Sequence, residues 1–104
     1  MVMKINEQKI IKKNKNDEIT ILILNRKGGR TSARIIDEII KRPLNINQLA
    51  NMLGISYNTV HYHIRIMKGY KLVEKKTTGY GSVYVVTSKL LKNIEYYNQL
   101  KKLL

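Results

Sequence analysis

A chain of 104 residues, 43% hydrophobic and 26% charged, has the size and balance of one soluble globular domain with a single core. Its 20 Lys and Arg against 7 Asp and Glu give a formal net charge of +13, more than solubility needs, so a polyanionic partner is expected, nucleic acid first. The absence of cysteine excludes disulfides, thiolate metal sites and redox switching.

No apolar run approaches the roughly 18 residues of a membrane span, and Met1 to Ile11 is too polar for a signal peptide. A cytoplasmic protein without a membrane partner is expected. The wealth of Ile, Lys and Asn suggests an A+T-rich genome, as an archaeal source would supply.

Residues 1–18 read as a basic N-terminal arm, in which Lys4, Lys9, Lys12, Lys13 and Lys15 precede an Asn-rich end that opposes a long helix. The arm either follows phosphates into a neighbouring groove or is a solvated terminus. Ile19 to Asn25, β-branched and apolar and followed by the turn Arg26 to Arg30, predicts a short strand. Both its faces are apolar, and a dimer contact could cover one of them. Thr31 or Ser32 can cap the next helix, whose Ile35, Ile36, Ile39 and Ile40 form a core stripe and which Pro43 ends. Pro43 to Ile46 should be extended and able to pair with a later hairpin.

The most informative stretch is Asn45 to Lys68. Ile46, Leu49, Ala50 and Leu53 recur at helical spacing, with Asn45 placed as an N-cap. Gly54 stands where a left-handed backbone is cheap, and Ile55 fills the elbow. Ser56 then caps a second helix whose inward stripe is Tyr57, Val60, Ile64 and Met67. Asn58, Thr59, His61, Tyr62 and Arg65 are left facing elsewhere. Two helices crossing at about 90 to 120° need a small residue at the crossing and a flexible turn. Ala50, Gly54 and Val60 supply them, at the places of the small residue, turn glycine and buried branched residue of the helix-turn-helix family, which this segment resembles. An ordinary αα-hairpin is the plainer alternative.

Beyond Gly69, Leu72 to Lys76 and Ser82 to Val86 are β-prone and joined by Thr77 to Gly81, which reads as a hairpin with Tyr80 exposed in its loop. The order of elements over Thr31 to Thr87, and GISYNTVHYHIRIMKGYKLVEKKTTGYGSVYVVT within it, resembles the winged helix-turn-helix transcription regulators, and most of all the ArsR-like branch common in archaea. About half the chain carries the resemblance. The metal-sensing members use cysteine pairs, which this chain lacks, so it would be a regulator without that site.

Ser88 can cap a last helix in which Leu90, Leu91, Ile94, Tyr97, Leu100 and Leu104 mark an apolar stripe near heptad spacing. The resemblance implies that terminal helices pair two subunits; packing on the chain's own first helix is the other reading. The expected fold class is therefore α+β, a three-helix core with a two-stranded β wing, an N-terminal strand and a C-terminal dimerisation helix. Residues 1–18 would be the arm, 19–87 the DNA-binding domain and 88–104 the dimerisation helix. The core in 31–87 is expected to hold its fold without Ile94 to Leu104.

Catalysis has little to stand on. His61 and His63 point about 200° apart on a helix and cannot chelate one metal, while Asp37 and Glu38 do not converge. Arg26 to Arg30 lacks the spacing of a phosphate loop. No enzyme activity, metal or cofactor is expected. The sequence instead favours a homodimeric, sequence-specific regulator on double-stranded DNA, with the recognition helix 56–68 in the major groove and the wing 72–86 on the backbone or minor groove. Its DNA contacts would be Ser56, Tyr57, Asn58, Thr59, His61, Tyr62, Arg65 and Lys68 on that helix, and Lys75, Lys76, Thr78 and Tyr80 on the wing. Asn58 suits an adenine edge, Arg65 a guanine or a phosphate, and the Thr59 methyl a thymine methyl. The alternative function is an architectural or interaction module that binds nucleic acid without sequence choice. The residues name no effector ligand, no operator and no direction of regulation.

Overall fold

The computed structural model describes residues 18–79 and 81–104, so the expected basic arm, up to its last residue, and Tyr80 lie outside the described residues. The chain order is α1 (Glu18–Leu24), α2 (Gly29–Lys41), α3 (Ile46–Leu53), α4 (Tyr57–Gly69), β1 (Val73–Thr78), β2 (Gly81–Val86), α5 (Ser88–Lys92) and α6 (Ile94–Lys101). The helical core with an antiparallel two-stranded hairpin is as expected. Among the described residues no helix is long and apolar enough to cross a membrane.

The expected strand at Ile19 to Asn25 is instead helix α1. Ile19, Leu22 and Ile23 are buried, a spacing of three and four that places them on one helical face, and Leu24 is left at the surface. An apolar run with β-branched residues fits either element by composition, and here burial against the rest of the core decides. Polar side chains fasten the helix at its edge: Thr20 bonds Tyr96 and Glu18 pairs with Lys89.

Helix α2 begins earlier than expected, at Gly29 with Gly28 as an uncapped N-terminus, so neither Thr31 nor Ser32 is the cap. The α1–α2 turn is so tight that a Cβ on Gly29 would stand 1.9 Å from the Ile23 carbonyl oxygen, which accounts for the glycine. Ile35, Ile36 and Ile39 are buried as the stripe requires, but Ile40 is exposed.

Past Pro43 the chain is extended, and Leu44 pairs with Tyr84 of the hairpin, the Tyr84 amide donating to the Leu44 carbonyl over 2.8 Å. This is the pairing the sequence suggested. Asn45 caps α3 with a full capping box, its side chain accepting from the Gln48 amide at 2.7 Å while the Gln48 side chain accepts from the Asn45 amide at 2.8 Å. Gly54 closes α3 in the left-handed region at φ 68°, as its place in the turn demands.

The strands of the hairpin are longer than expected, and Thr78 faces Gly81 at the far end of the ladder. Tyr84 is buried and Val73 pairs with Val86 at the base.

The predicted single C-terminal helix is two, broken at Asn93, and its cap is Thr87 rather than Ser88. Leu90, Tyr97 and Leu100 lie inside the chain's own core. Tyr97 is wholly buried, its hydroxyl 2.8 Å from the Asp37 carboxylate and 3.0 Å from the Ala33 carbonyl, and Lys101 pairs with Asp37 at 3.0 Å. Burial, with the carboxylate beside it, pushes the Tyr97 phenol far above its usual range, so it stays a donor. The stripe read as an intersubunit seam is therefore in large part intramolecular. Only Leu91 and Leu104 of it are exposed, and Ile94 is half-buried.

Candidate nucleic-acid interface

Helix α4 is seated by Val60, Ile64 and Met67, which are buried together with His63. Ser56 caps its start, accepting from the Thr59 amide at 3.1 Å, and the two hydroxyls lie 2.9 Å apart. The expected inward stripe needs one correction. Tyr57 is 48% exposed, while His63 takes the inward place. At the first position of the helix the Tyr57 ring lies beyond the core's edge, whereas His63, three residues after Val60 and four before Met67, is carried inward by the helical period.

His63 is accommodated by partners that were not legible as a set. The Arg26 guanidinium donates to Ser32 Oγ over 3.2 Å, and Ser32 Oγ stands 3.1 Å from His63 Nδ1. Since guanidinium only donates, Ser32 can give its own proton to the ring. Burial, and then the Arg26 charge, lower the His63 pKa from its ordinary 6.5, which favours the neutral ring. A Cβ on Gly28 would stand 2.4 Å from His63 Cε1, so this glycine lets the α1–α2 turn close over the imidazole. The sequence signal was a polar residue in an apolar stripe, which calls for a buried partner.

The outward face of α4 presents Tyr57, Asn58, Thr59, His61, Tyr62, Arg65 and Lys68, all exposed, with Ser56 exposed at its start. Among the described residues Asn58 and Arg65 bond to nothing, while His61 stacks on Tyr57 with the rings 9° from parallel. No acidic residue occurs from Pro43 to Val73, so the face carries one sign of charge.

The hairpin divides the expected wing set. Lys75 pairs with Tyr84 and Lys76 with Val83, and neighbouring strand residues point to opposite faces, so the two lysines cannot follow one line of phosphates. Both are exposed. The Thr78 hydroxyl donates to the Gly81 carbonyl at 3.0 Å, which closes the turn.

Among the described residues no three His, Asp or Glu side chains gather as a metal site. His61 is at the surface and His63 inside. Asp37 is engaged by Tyr97 and Lys101.

Residues 31–75 match the family described as "Bacterial regulatory protein, arsR family". No curated protein matches the chain. Among solved structures it is similar to a transcriptional regulator HlyU from Vibrio vulnificus CMCP6, with TM-score 0.65 and 14% identity over 94% of this chain and 97% of that one. An ArsR-like transcriptional regulator from Rhodococcus sp. RHA1 gives TM-score 0.62 and 19% identity over 82% of this chain and 78% of that one. The homodimeric winged helix-turn-helix DNA-binding domain of Mb0332 from Mycobacterium bovis, a possible ArsR-family transcriptional regulator, gives TM-score 0.58 and 12% identity, covering 95% and 82%. The matched segment spans α2, α3, α4 and the start of β1, the same elements that present the basic polar face. The matching family and the similar structures are those of regulators rather than enzymes, and this chain has their winged helix-turn-helix fold.

Proposed function

We propose that the protein is a sequence-specific regulator of transcription that binds double-stranded DNA as a homodimer, with α4 in the major groove and the β1–β2 wing on the backbone. The observation that carries the reading is the outward face of α4. It is polar and varied in chemistry, free of acids and held on a helix whose other side is fully packed. Asn58 and Arg65 can each form paired hydrogen bonds with a base edge, and Ser56 with the first turn suits a phosphate. Whichever of Lys75 and Lys76 faces the backbone would add a contact that positions the protein without reading bases.

A dimer is supported by the homodimeric Mb0332 domain and by apolar side chains left at the surface near both ends of the described chain, Leu24, Leu91, Leu103 and Leu104. Such a protein works where the chromosome is, in the cytoplasm of a prokaryotic cell. A net charge of +13 by itself would serve an architectural binder equally well, so specificity is the property to test.

Selection of bound sites from random DNA, followed by competition with unselected DNA, tests it. A recovered, approximately palindromic site that outcompetes random DNA is expected. Recovery of no preferred sequence would leave the non-specific module as the function.

A further inference from the structure

Tyr57 and His61 stand four residues apart on α4 with ring centroids 6.1 Å apart and planes 9° from parallel. Both rings are at the surface, where an aromatic side chain ordinarily samples several rotamers. Asn58 and Arg65, by comparison, have no partner among the described residues.

We propose that Tyr57 is a positioning residue for base recognition: its ring, stacked on His61, holds the imidazole edge toward the groove, so that His61 donates to the N7 acceptor of one purine. A neutral imidazole carries one N–H donor, and purines alone present N7 in the major groove. A side chain already held in direction loses less freedom on binding, so the stack acts on the selectivity of that contact rather than on general affinity. The inference rests on the proposed reading of α4 as the DNA-reading helix.

The test is base preference on the selected site for the full-length protein, the single variants His61→Ala, Tyr57→Ala and Tyr57→Phe, and the double variant His61→Ala with Tyr57→Ala. His61→Ala should reduce purine preference at one position by roughly tenfold, the scale of a base-edge contact. Tyr57→Ala should reduce it at the same position, the double variant should add nothing further, and Tyr57→Phe should keep the preference because the ring and not the hydroxyl forms the stack. The melting temperature serves as a fold control, since Tyr57 is half exposed. Additive losses in the double variant, or a Tyr57→Ala that weakens all sequences equally, would overturn the positioning role and leave Tyr57 as a phosphate contact. A wild-type protein with no base preference would overturn the specific reading of α4 itself, and this inference with it.

Discussion

At His63 the local chemistry sets a pH dependence of stability. Its folded pKa lies below the ordinary 6.5, so the unfolded chain binds more protons than the folded one as pH falls past that value. Stability should be full above 6.5 and decline as pH drops through the lower folded-state pKa. Glu18, lowered chiefly by its hydrogen bond to Lys89, acts in the same direction but only below its ordinary 4.5, so the two windows are separable. Denaturant melts at a series of pH values from above 6.5 down to 4.5 should show the loss in the wild type and its absence in His63→Gln; an equal slope in both would clear His63. On the opposite face of α4, Asn58→Ala and Arg65→Ala should each cost about 1 to 3 kcal/mol on the selected site and relax base preference there. Equal losses on selected and random DNA would assign both side chains to phosphates.

Among the elements, the wing gives a prediction that separates two adjacent lysines. Because Lys75 and Lys76 lie on opposite faces of the ribbon, their alanine variants should not be equivalent in salt titrations of DNA affinity. The lysine facing the backbone should lower the slope of log affinity against log salt by about one unit, and the other should leave it unchanged. Slopes unchanged from wild type in both variants would place the whole wing off the DNA, and slopes flattened in both would put both lysines on phosphates. The C-terminal pair α5 and α6 offers a second contrast. Truncation before Ile94 removes the buried Tyr97 and Leu100 and the Lys101–Asp37 pair. Loss of one large buried side chain alone costs about 3 to 5 kcal/mol, a large part of the stability of a small domain, so the truncated chain should be unfolded by circular dichroism. A folded truncation product would show that residues 31–87 suffice after all.

Those same elements show what could be read from the residues. The two helices about Gly54 were legible because their signals are local: Asn45 with Gln48 three residues on, a glycine at the left-handed position, and Ser56 before the next apolar period. The pairing of Leu44 with the hairpin was legible from Pro43, which forces the chain to be extended there. Helix α1 reads as a strand in the sequence because six successive apolar and β-branched residues satisfy both periods until a partner surface exists, and that surface is supplied in part by α6 about seventy residues later. The C-terminal stripe left two readings open for a related reason: spacing shows that a face is apolar but not whose core it enters. The link from Arg26 through Ser32 to His63 joins three separate stretches, so nothing local announced it.

For the whole molecule the open quantity is how two copies would meet, because one recognition helix reads too few base pairs for useful discrimination. With Leu90, Tyr97 and Leu100 inside the core, a two-fold contact must use what the fold leaves outside. Leu91 and Leu103 are about half exposed, and Leu104 and Leu24 just over a third, on α5, the chain end and α1. Glu18 pairs with Lys89 and Thr20 with Tyr96, so α1 runs alongside the C-terminal helices, and these elements can form one continuous face. A stable dimer needs about 1,000 Å² or more in total, so the face must be shared broadly and charge placed within it should be costly. Leu91→Lys combined with Leu103→Lys should therefore yield a folded monomer in sedimentation, with an unchanged far-ultraviolet spectrum. On DNA that monomer should lose most of its preference for the full site, since the proposed dimer would set two reading helices on successive major grooves about 34 to 36 Å apart. A double variant that sediments as a dimer would move the interface to the other exposed apolar side chains, Ile40 and Met52.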